Sequence, residues 1–224
     1  AVVLARGYKG VTSMHKAEQI RHEIPIAEMA KVTSGVRQIA GPDIYITVGI
    51  PGGFTEVLPT LLTDADFKIM SEAGADGLHV HKTGLDDLAE VVQKAHFFGL
   101  LVDAYIGRPQ DLHPFGIPAE TPEEVAKVAV EMEKIGVDFI GLMTGMSYEG
   151  IAAGEIPEII RERLKALVES VHVPTLAEGG INVQNQKAFR NTGVNILVVG
   201  TAIDDMAGNA VKEAVRSFLP QVIA

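Results

Sequence analysis

Two short stretches near the C-terminal end decide the fold: PTLAEGGIN at residues 174–182 and ILVVGTAID at residues 196–204. Each starts as a short apolar run that suits a buried strand, and each ends at glycine beside a polar residue. Glu178 directly precedes Gly179 and Gly180, and Gly200 directly precedes Thr201. Glycine at the end of a strand allows the backbone a close approach to another group.

Three further junctions repeat one pattern along the chain. EAGADGLHV (72–80), KIGVDFIGL (134–142) and NTGVNILVV (191–199) each read as a helix end, a glycine, a small residue, Asp or Asn, and then a strand. A glycine here closes a helix in the left-handed conformation. The junctions lie about sixty residues apart, which is two strand-helix units of ordinary size. The chain is therefore predicted to be built from repeated units.

The apolar runs predict seven strands separated by helices. The predicted strands lie near 1–6, 43–50, 76–82, 100–106, 137–144, 173–178 and 195–200. The predicted helices lie at about 24–40, 63–73, 85–98, 121–135, 156–171, 183–192 and 207–219. Thr121, Pro122 and Glu124 form the signature of a helix start, with a threonine cap, proline at the first position and glutamate three residues after the cap.

Strict alternation of apolar strands with helices indicates a parallel sheet covered by helices. No GxGxxG follows a strand, and the regular repeat favours a closed barrel over an open doubly wound sheet. We therefore expect an α/β fold, a TIM-type (β/α)8 barrel with seven units visible, in a single domain over residues 1–224. A full barrel has eight units, so an N-terminal strand and helix are expected to be missing or unrecognised.

Composition narrows the classes of function. The chain has 224 residues, is 47% hydrophobic and carries a formal net charge of −10. This charge disfavours nucleic acids and anionic membranes as partners, because they need clustered Lys and Arg. No apolar run has the roughly 18–20 residues of a membrane span, and cysteine is absent. We expect a cytoplasmic protein whose partner is a small molecule.

In a barrel, the loops after the last two strands commonly bind phosphate through backbone N–H groups. Gly179, Gly180, Gly200 and Thr201 occupy those loops. We interpret them as two halves of one phosphate cradle, although each could also be an ordinary turn.

These residues carry a resemblance to a known family. AEGGI (177–181), VVGTAI (198–203) and the stretch 55–81, TEVLPTLLTDADFKIMSEAGADGLHVH, resemble the ribulose-phosphate-binding barrels. The pattern is most similar to N-acetylmannosamine-6-phosphate 2-epimerase, with hexulose-6-phosphate synthase more distant. The resemblance implies a dimeric cytoplasmic enzyme of carbohydrate metabolism that acts on a phosphorylated sugar, as an isomerase, epimerase or lyase. We expect no cofactor, with a divalent metal ion as the alternative.

The chain matches the family's site residues in part. Glu178 matches the glutamate of the epimerase AEG motif, and Asp103 matches an aspartate of the synthase pattern. The epimerases have an acidic residue where this chain has His81. They also place a catalytic lysine at the end of the strand that reads ITVGIPGG (46–53) here, where this chain has none. The synthases' Asp-x-Lys-x-x-Asp motif is absent from that position too.

The third predicted strand brings further polar groups to the site. In DGLHVHK (76–82), period-two alternation points Leu78 and Val80 at the helices, and His79 and His81 at the barrel interior. Lys82 follows at the strand end. An interior Asp103 needs a partner, for which we expect His81 or Lys82. A structural hydrogen bond between His79 and Asp103 is the alternative.

Other polar residues carry weaker signals. Arg6 ends the first strand and Thr144 ends another, so both are candidates for binding substrate. The loop GRPQDLHPFGIPAET (107–121), with His113, is a lid or an interface loop. The remaining histidines are expected to be solvated: His15, His22, His96 and His172.

Three hypotheses of function follow. The first is a metal-independent isomerase, epimerase or lyase in which Glu178 and one of Asp103, His81 or Lys82 exchange a proton beside a carbonyl. The second is a metal-dependent relative in which His81, Asp103 and Glu178, with or without His79, hold a divalent ion. The third is a non-catalytic barrel that binds a phosphorylated ligand.

We rank the first hypothesis highest and assign roles within it. Glu178 is expected to stay ionised beside a helix N-terminus and to act as base. His81 is the expected proton donor near pH 7.

Overall fold

The computed structural model describes residues 2–5, 25–49, 62–109, 115–146 and 154–218, with backbone alone for 2–5. Within these ranges strands and helices alternate along the chain. The strands are β1 (Val2–Ala5), β2 (Ile46–Gly49), β3 (Gly77–Val80), β4 (Leu101–Gly107), β5 (Ile117–Pro118), β6 (Phe139–Met143), β7 (Thr175–Glu178) and β8 (Ile196–Val198). The helices are α1 (Ile26–Ala40), α2 (Asp64–Glu72), α3 (Leu85–Phe97), α4 (Pro122–Ile135), α5 (Glu158–Ser170), α6 (Gln186–Arg190) and α7 (Thr201–Phe218).

All strands belong to one parallel sheet in the order β1-β2-β3-β4-β6-β7-β8, with the two-residue β5 added to β4. Each step along this order has an intervening helix, as a parallel crossover requires. The seven predicted strands and the single sheet are confirmed. The short β5 was not predicted, because two residues carry no periodic signal.

Helix boundaries follow local chemistry. The Thr121 side chain accepts a hydrogen bond from the Glu124 amide at 3.2 Å, and Pro122 is the first helical residue of α4. The predicted start of this helix is therefore confirmed. The final helix begins at Thr201 rather than near residue 207, directly after Gly200. No helix in the described ranges is long and apolar enough to span a bilayer.

Side chains on the two faces of the sheet differ in kind. Leu78, Val80 and Val102 point outward into the main hydrophobic core between the sheet and the helices. Alternate residues point inward, where Tyr105, Phe115, Met143 and Leu176 form a second, smaller cluster. The alternation predicted for residues 78–81 is therefore confirmed.

Glycines on the inner face make room for tyrosines. A Cβ added at Gly141 would lie 2.3 Å from the Tyr105 ring, and one at Gly77 would lie 2.1 Å from the Tyr45 hydroxyl oxygen. Real side chains do not tolerate such distances. The interior is therefore filled by a few large side chains, and this arrangement leaves polar groups at the C-terminal ends of the strands.

Candidate functional site

The inner face of β3 and β4 carries a buried ion pair. The parallel register places His79 beside Asp103, and both side chains are almost fully buried. His79 Nδ1–H donates to Asp103 Oδ2, and Thr47 Oγ1 of β2 donates to Asp103 Oδ1. Both carboxylate oxygens thus accept a hydrogen bond, as a buried carboxylate requires. The expectation that His81 or Lys82 partners Asp103 is wrong, because the register selects His79 and Thr47.

Glu178 joins this pair from the end of β7. Its Oε2 lies 3.5 Å from His79 Nε2, on the opposite side of the imidazole from Asp103. The Glu178 side chain is 18% exposed, whereas that of His79 is fully buried. The three groups form a chain from the interior toward solvent: Asp103, His79, Glu178.

His81 and Tyr105 complete the cluster. The His79 and His81 rings are 4.8 Å apart between centroids, and Tyr105 packs on both at 4.7 and 5.0 Å. Phe115, directly before β5, covers His81 at 5.5 Å. The structure therefore brings together Asp103, His81 and Glu178, as the sequence predicts, and adds His79.

The two histidines differ in electrostatics. Burial alone would lower the pKa of His79, but the Asp103 and Glu178 carboxylates outweigh it and raise that pKa above its usual value. Burial, helped by the neighbouring His79, holds the pKa of His81 well below its usual range. The lowered pKa disfavours His81 as a proton donor near pH 7, and the role assigned to it stays a prediction. The two neighbouring histidines are thus shifted in opposite directions.

The carboxylate and the phenol are shifted mainly by burial. Burial raises the pKa of Glu178, Asp103 raises it further, and His79 and Tyr105 partly offset this. We expected a helix N-terminus to keep Glu178 ionised, and the net shift runs the other way because desolvation dominates. Burial, with Glu178 and Asp103, raises the pKa of Tyr105 well above its usual value.

The loop after β7 has a fixed, glycine-dependent backbone. Gly179 and Gly180 have φ of 106° and 70°, a left-handed region that favours glycine. Thr144 Oγ1 donates to the Gly179 carbonyl at 2.6 Å, and Asn185 Nδ2 donates to the Gly180 carbonyl at 2.9 Å. Thr144 was a candidate for substrate binding, but its hydroxyl proton is used to hold this loop.

The loop after β8 ends in a helix N-terminus. Thr201 is the first residue of α7, and the Gly200 carbonyl accepts hydrogen bonds from the amides of Ile203 and Asp204 at 2.9 and 3.2 Å. The first amides of a helix have no partner within the helix. Both glycine turns thus stand at C-terminal strand ends, on adjacent strands of the sheet.

The other predicted residues lie apart from this cluster or outside the described ranges. The pKa of the exposed Glu90 of α3 is lowered mainly by its hydrogen bond to Lys94. The charge of Lys82 lowers it a little further. Arg6, His15, His22 and His113 lie outside the described residues, as does the middle of the predicted lid loop. His96 Nε2 lies 2.8 Å from Asp138 Oδ2. His172 is 96% exposed, so its predicted solvation is confirmed.

A cavity of about 250 Å³ adjoins the loop after β7. Thr144 contributes to its wall, and the guanidinium of Arg108 lies against Gly145. Buried Arg163 of α5 also lines it and donates to the Ala119 and Gly107 carbonyls at 2.8 and 3.3 Å. Glu120 also lines the cavity, so its wall carries two arginines and one carboxylate, and Thr144 links it to the loop after β7.

Potential metal ligands are a different set from the predicted one. His79, His81 and Glu178 each offer an atom within 4.8 Å of the others. Asp103 does not belong to this set, because both of its oxygens are held by Thr47 and His79. The predicted set of His81, Asp103 and Glu178, with or without His79, shares His79, His81 and Glu178 with this group, and metal binding stays a prediction.

Sequence reasoning missed three residues that shape the site. Thr47, Tyr105 and Asn185 are all buried and contact or hold the cluster and its loop. Thr47 and Tyr105 could have been found by the alternation used for His79, since each has inward-pointing neighbours two residues away. Asn185 carries no such signal.

Comparison with known proteins shows which kinds of enzyme the chain is similar to. No family model matches the chain. A thiamine-phosphate synthase of Ruminiclostridium cellulolyticum is 31% identical over 146 residues, which cover 65% of this chain and 59% of that protein. A thiamine-phosphate synthase of Pyrococcus abyssi is 27% identical over 192 residues, which cover 78% of this chain and 86% of that protein. A phosphoribosyl imidazole-4-carboxamide isomerase of Methanosarcina acetivorans is 36% identical over 86 residues, 38% of this chain and 32% of that one.

Solved structures agree on the architecture. A mutant tryptophan synthase alpha-subunit of Pyrococcus furiosus superposes with a TM-score of 0.70 at 14% identity, covering 93% of this chain and 79% of that one. The chain thus has the TIM-barrel fold. These relatives are thiamine-phosphate synthases and isomerases, and they do not bear out the finer resemblance to the epimerase and the hexulose-phosphate synthase. The chain spans less than two thirds of the Ruminiclostridium relative.

Proposed function

We propose that the chain is an enzyme that acts on a phosphorylated small molecule by transferring a proton at a carbon next to a carbonyl. One observation carries this proposal: Glu178 directly precedes the glycine turn of β7, and its carboxylate meets the buried His79–Asp103 pair. This position supports a phosphate anchor and an acid–base group side by side at the C-terminal ends of the strands.

The phosphate end rests on the two glycine turns. Gly179 and Gly180 follow β7, while Gly200 and Thr201 link β8 to the first amides of α7. Amides at such positions bind anions, because they point outward and carry the positive end of the helix dipole. Local amides can hold a phosphate on a chain of negative net charge, since their field acts at short range.

The reactive end rests on the exposure gradient within the cluster. Although its Oε2 is buried against His79, the Glu178 side chain as a whole is 18% exposed, so its carboxylate is the group of this cluster that touches substrate. His79 and Asp103 are buried behind it and position it. A carboxylate whose pKa is raised by burial exchanges protons more readily near neutral pH than an ordinary glutamate does.

The names of the relatives support a phosphorylated ligand. The isomerase acts on a phosphoribosyl compound, and the synthases make thiamine phosphate. A second candidate function is therefore formation of thiamine phosphate, which the 31% and 27% identities to those synthases favour. The homodimer and the cytoplasmic location implied by the family resemblance stay predictions.

Deuterium exchange tests the proposal. A panel of ketose and aldose phosphates is incubated in D2O with the wild type, with Glu178→Gln and with a control, Glu169→Gln, which alters an exposed glutamate of α5. We expect one substrate to gain deuterium next to its carbonyl with the wild type and the control, and at least about a hundredfold less with Glu178→Gln.

Two results would contradict the assignment. Exchange that persists in Glu178→Gln moves the base elsewhere. Formation of thiamine phosphate without exchange into any sugar phosphate replaces the first candidate with the second.

A further inference from the structure

We propose that His79, His81 and Glu178 bind one divalent transition-metal ion of the zinc class. Their donor atoms come from the ends of β3 and β7 and lie within 4.8 Å of one another. The ligand set differs from the predicted trio and from a metal-free acid–base site. Metal binding itself does not depend on the proposed reaction, although the ion's role in catalysis rests on it.

The distances suit a shared ion. Two ligands on one tetrahedral ion with bonds of about 2.0–2.1 Å lie about 3.3 Å apart. His79 Nε2 and Glu178 Oε2 are 3.5 Å apart, close to that separation. The remaining pairs are within 4.8 Å, so the ligands must approach one another to share one ion.

Asp103 orients the first ligand. Its contact with His79 Nδ1 leaves Nε2 directed at Glu178. A metal-binding histidine almost always donates its other ring N–H to a carboxylate or carbonyl, which fixes the tautomer and raises the basicity of the ligand nitrogen. Thr47 in turn fixes Asp103. Asp103 and Thr47 thus support the ligand His79 without binding the ion themselves.

The surroundings also point to an ion. Glu178 Oε2 is buried and makes no hydrogen bond to the part of the chain that the structure describes. Buried carboxylate oxygens are seldom left so, because desolvation is costly. His81 is held in place by Tyr105 and Phe115, whose rings restrict its rotation.

The donor types select the class of metal. Two imidazole nitrogens and one carboxylate suit zinc and its first-row neighbours, whereas magnesium and calcium prefer oxygen alone. Three protein ligands leave a position for water or a substrate oxygen, as in catalytic zinc sites. An ion there can polarise the carbonyl of the proposed substrate as a Lewis acid.

Cobalt titration tests the site without any substrate. Chelator-treated protein is titrated with Co²⁺ and followed by calorimetry and visible absorption. We expect one ion per chain, with the absorption bands of a low-coordinate site, in the wild type and in the control His172→Gln, which alters a 96% exposed histidine. His81→Gln and Glu178→Gln should each weaken binding at least about a hundredfold, and Asp103→Asn about 10- to 100-fold.

Other outcomes overturn the inference. Folded wild type that takes up no stoichiometric Co²⁺ removes it, as does unchanged binding in both ligand variants while circular dichroism confirms their fold. Metal-free protein that keeps full Glu178-dependent deuterium exchange removes the ion's catalytic role and leaves the proposed function standing. If the chain binds Co²⁺ stoichiometrically but exchanges no sugar phosphate, the metal site stands and the proposed function falls.

Discussion

The outward and inward faces of β3 and β4 carry different kinds of side chain, although the residues alternate along the same strands. Outward, Leu78 and Val102 enter a continuous apolar layer against the helices. Inward, His79 and Asp103 are equally buried but polar. An apolar side chain is stabilised by burial alone, whereas a buried charge is tolerated only with partners. The outer face is therefore uniformly apolar, whereas the inner face combines an apolar cluster with polar groups that burial alone would not favour.

The largest effect should follow loss of the inner carboxylate. Asp103→Ala leaves His79 and Thr47 without their acceptor, and breaking a buried pair in this way costs about 4 kcal/mol of unfolding free energy. Urea unfolding measures it, with Asp103→Asn as the shape-preserving control that should cost less. A loss below about 1 kcal/mol for Asp103→Ala would show that the pair is not a buried ionic contact.

The outer face should give a similar cost with a different signature. Leu78→Ala removes a fully buried side chain from the helix-facing core and should lower stability by about 3 kcal/mol. Because Leu78 points away from the site, phosphate affinity should not change, as isothermal calorimetry with inorganic phosphate would check. Loss of phosphate binding in a folded Leu78→Ala variant would contradict the claim that the outer face does not contribute to the site.

Two buried hydroxyls, one on the inner face of the sheet and one on helix α1, give a smaller, matched comparison. Thr47 donates to the Asp103 carboxylate, whereas equally buried Thr33 donates to the Met29 carbonyl within α1. Hydrogen bonds to charged groups contribute about 1.5–3 kcal/mol, against about 0.5–1.5 for neutral ones. Thr47→Val should therefore cost more unfolding free energy than Thr33→Val, and the opposite order would contradict a charged Asp103.

The smallest effect separates the two histidines by pH. The raised pKa of His79 contributes stability that is present below its unfolded value, about 6.5, and lost as pH rises through the folded value. The lowered pKa of His81 acts oppositely, so its contribution is lost as pH falls below about 6.5. Glu178 has a raised pKa and the same sign as His79.

Unfolding curves across pH measure this difference. His79→Gln should flatten the decline of stability above about pH 6.5, and His81→Gln the decline below it. His172→Gln, at an exposed position, should change neither. Identical pH profiles for the two inner variants would contradict the assigned electrostatics.

The fold could be predicted further than the site. Seven strands and the parallel order follow from apolar runs and glycine junctions, since these signals are local. The facing of His79 and His81 also followed from alternation. The sequence left the partner of Asp103 open between His81 or Lys82 and the alternative, His79, because the choice depends on the register between β3 and β4. That register pairs the aspartate with His79, one layer below the expected His81.

Electrostatics was the least predictable part. His81 and Glu178 were assigned proton roles from their positions at strand ends, but their shifts are set by burial, which depends on Tyr105, Phe115 and the rest of the interior. A sequence gives the type of a titratable group and not its desolvation. The pKa shifts of His81 and Glu178 therefore run opposite to the roles that the sequence suggested for them.

One crystal structure grown in inorganic phosphate would test the central claim, that the loops after β7 and β8 and the Glu178 cluster form one site. The account predicts a phosphate within about 3 Å of the Gly180 and Thr201 amide nitrogens, with the Glu178 carboxylate on the wall of the adjoining space. Phosphate in the Arg108 and Arg163 cavity, with both glycine turns unoccupied, would contradict it.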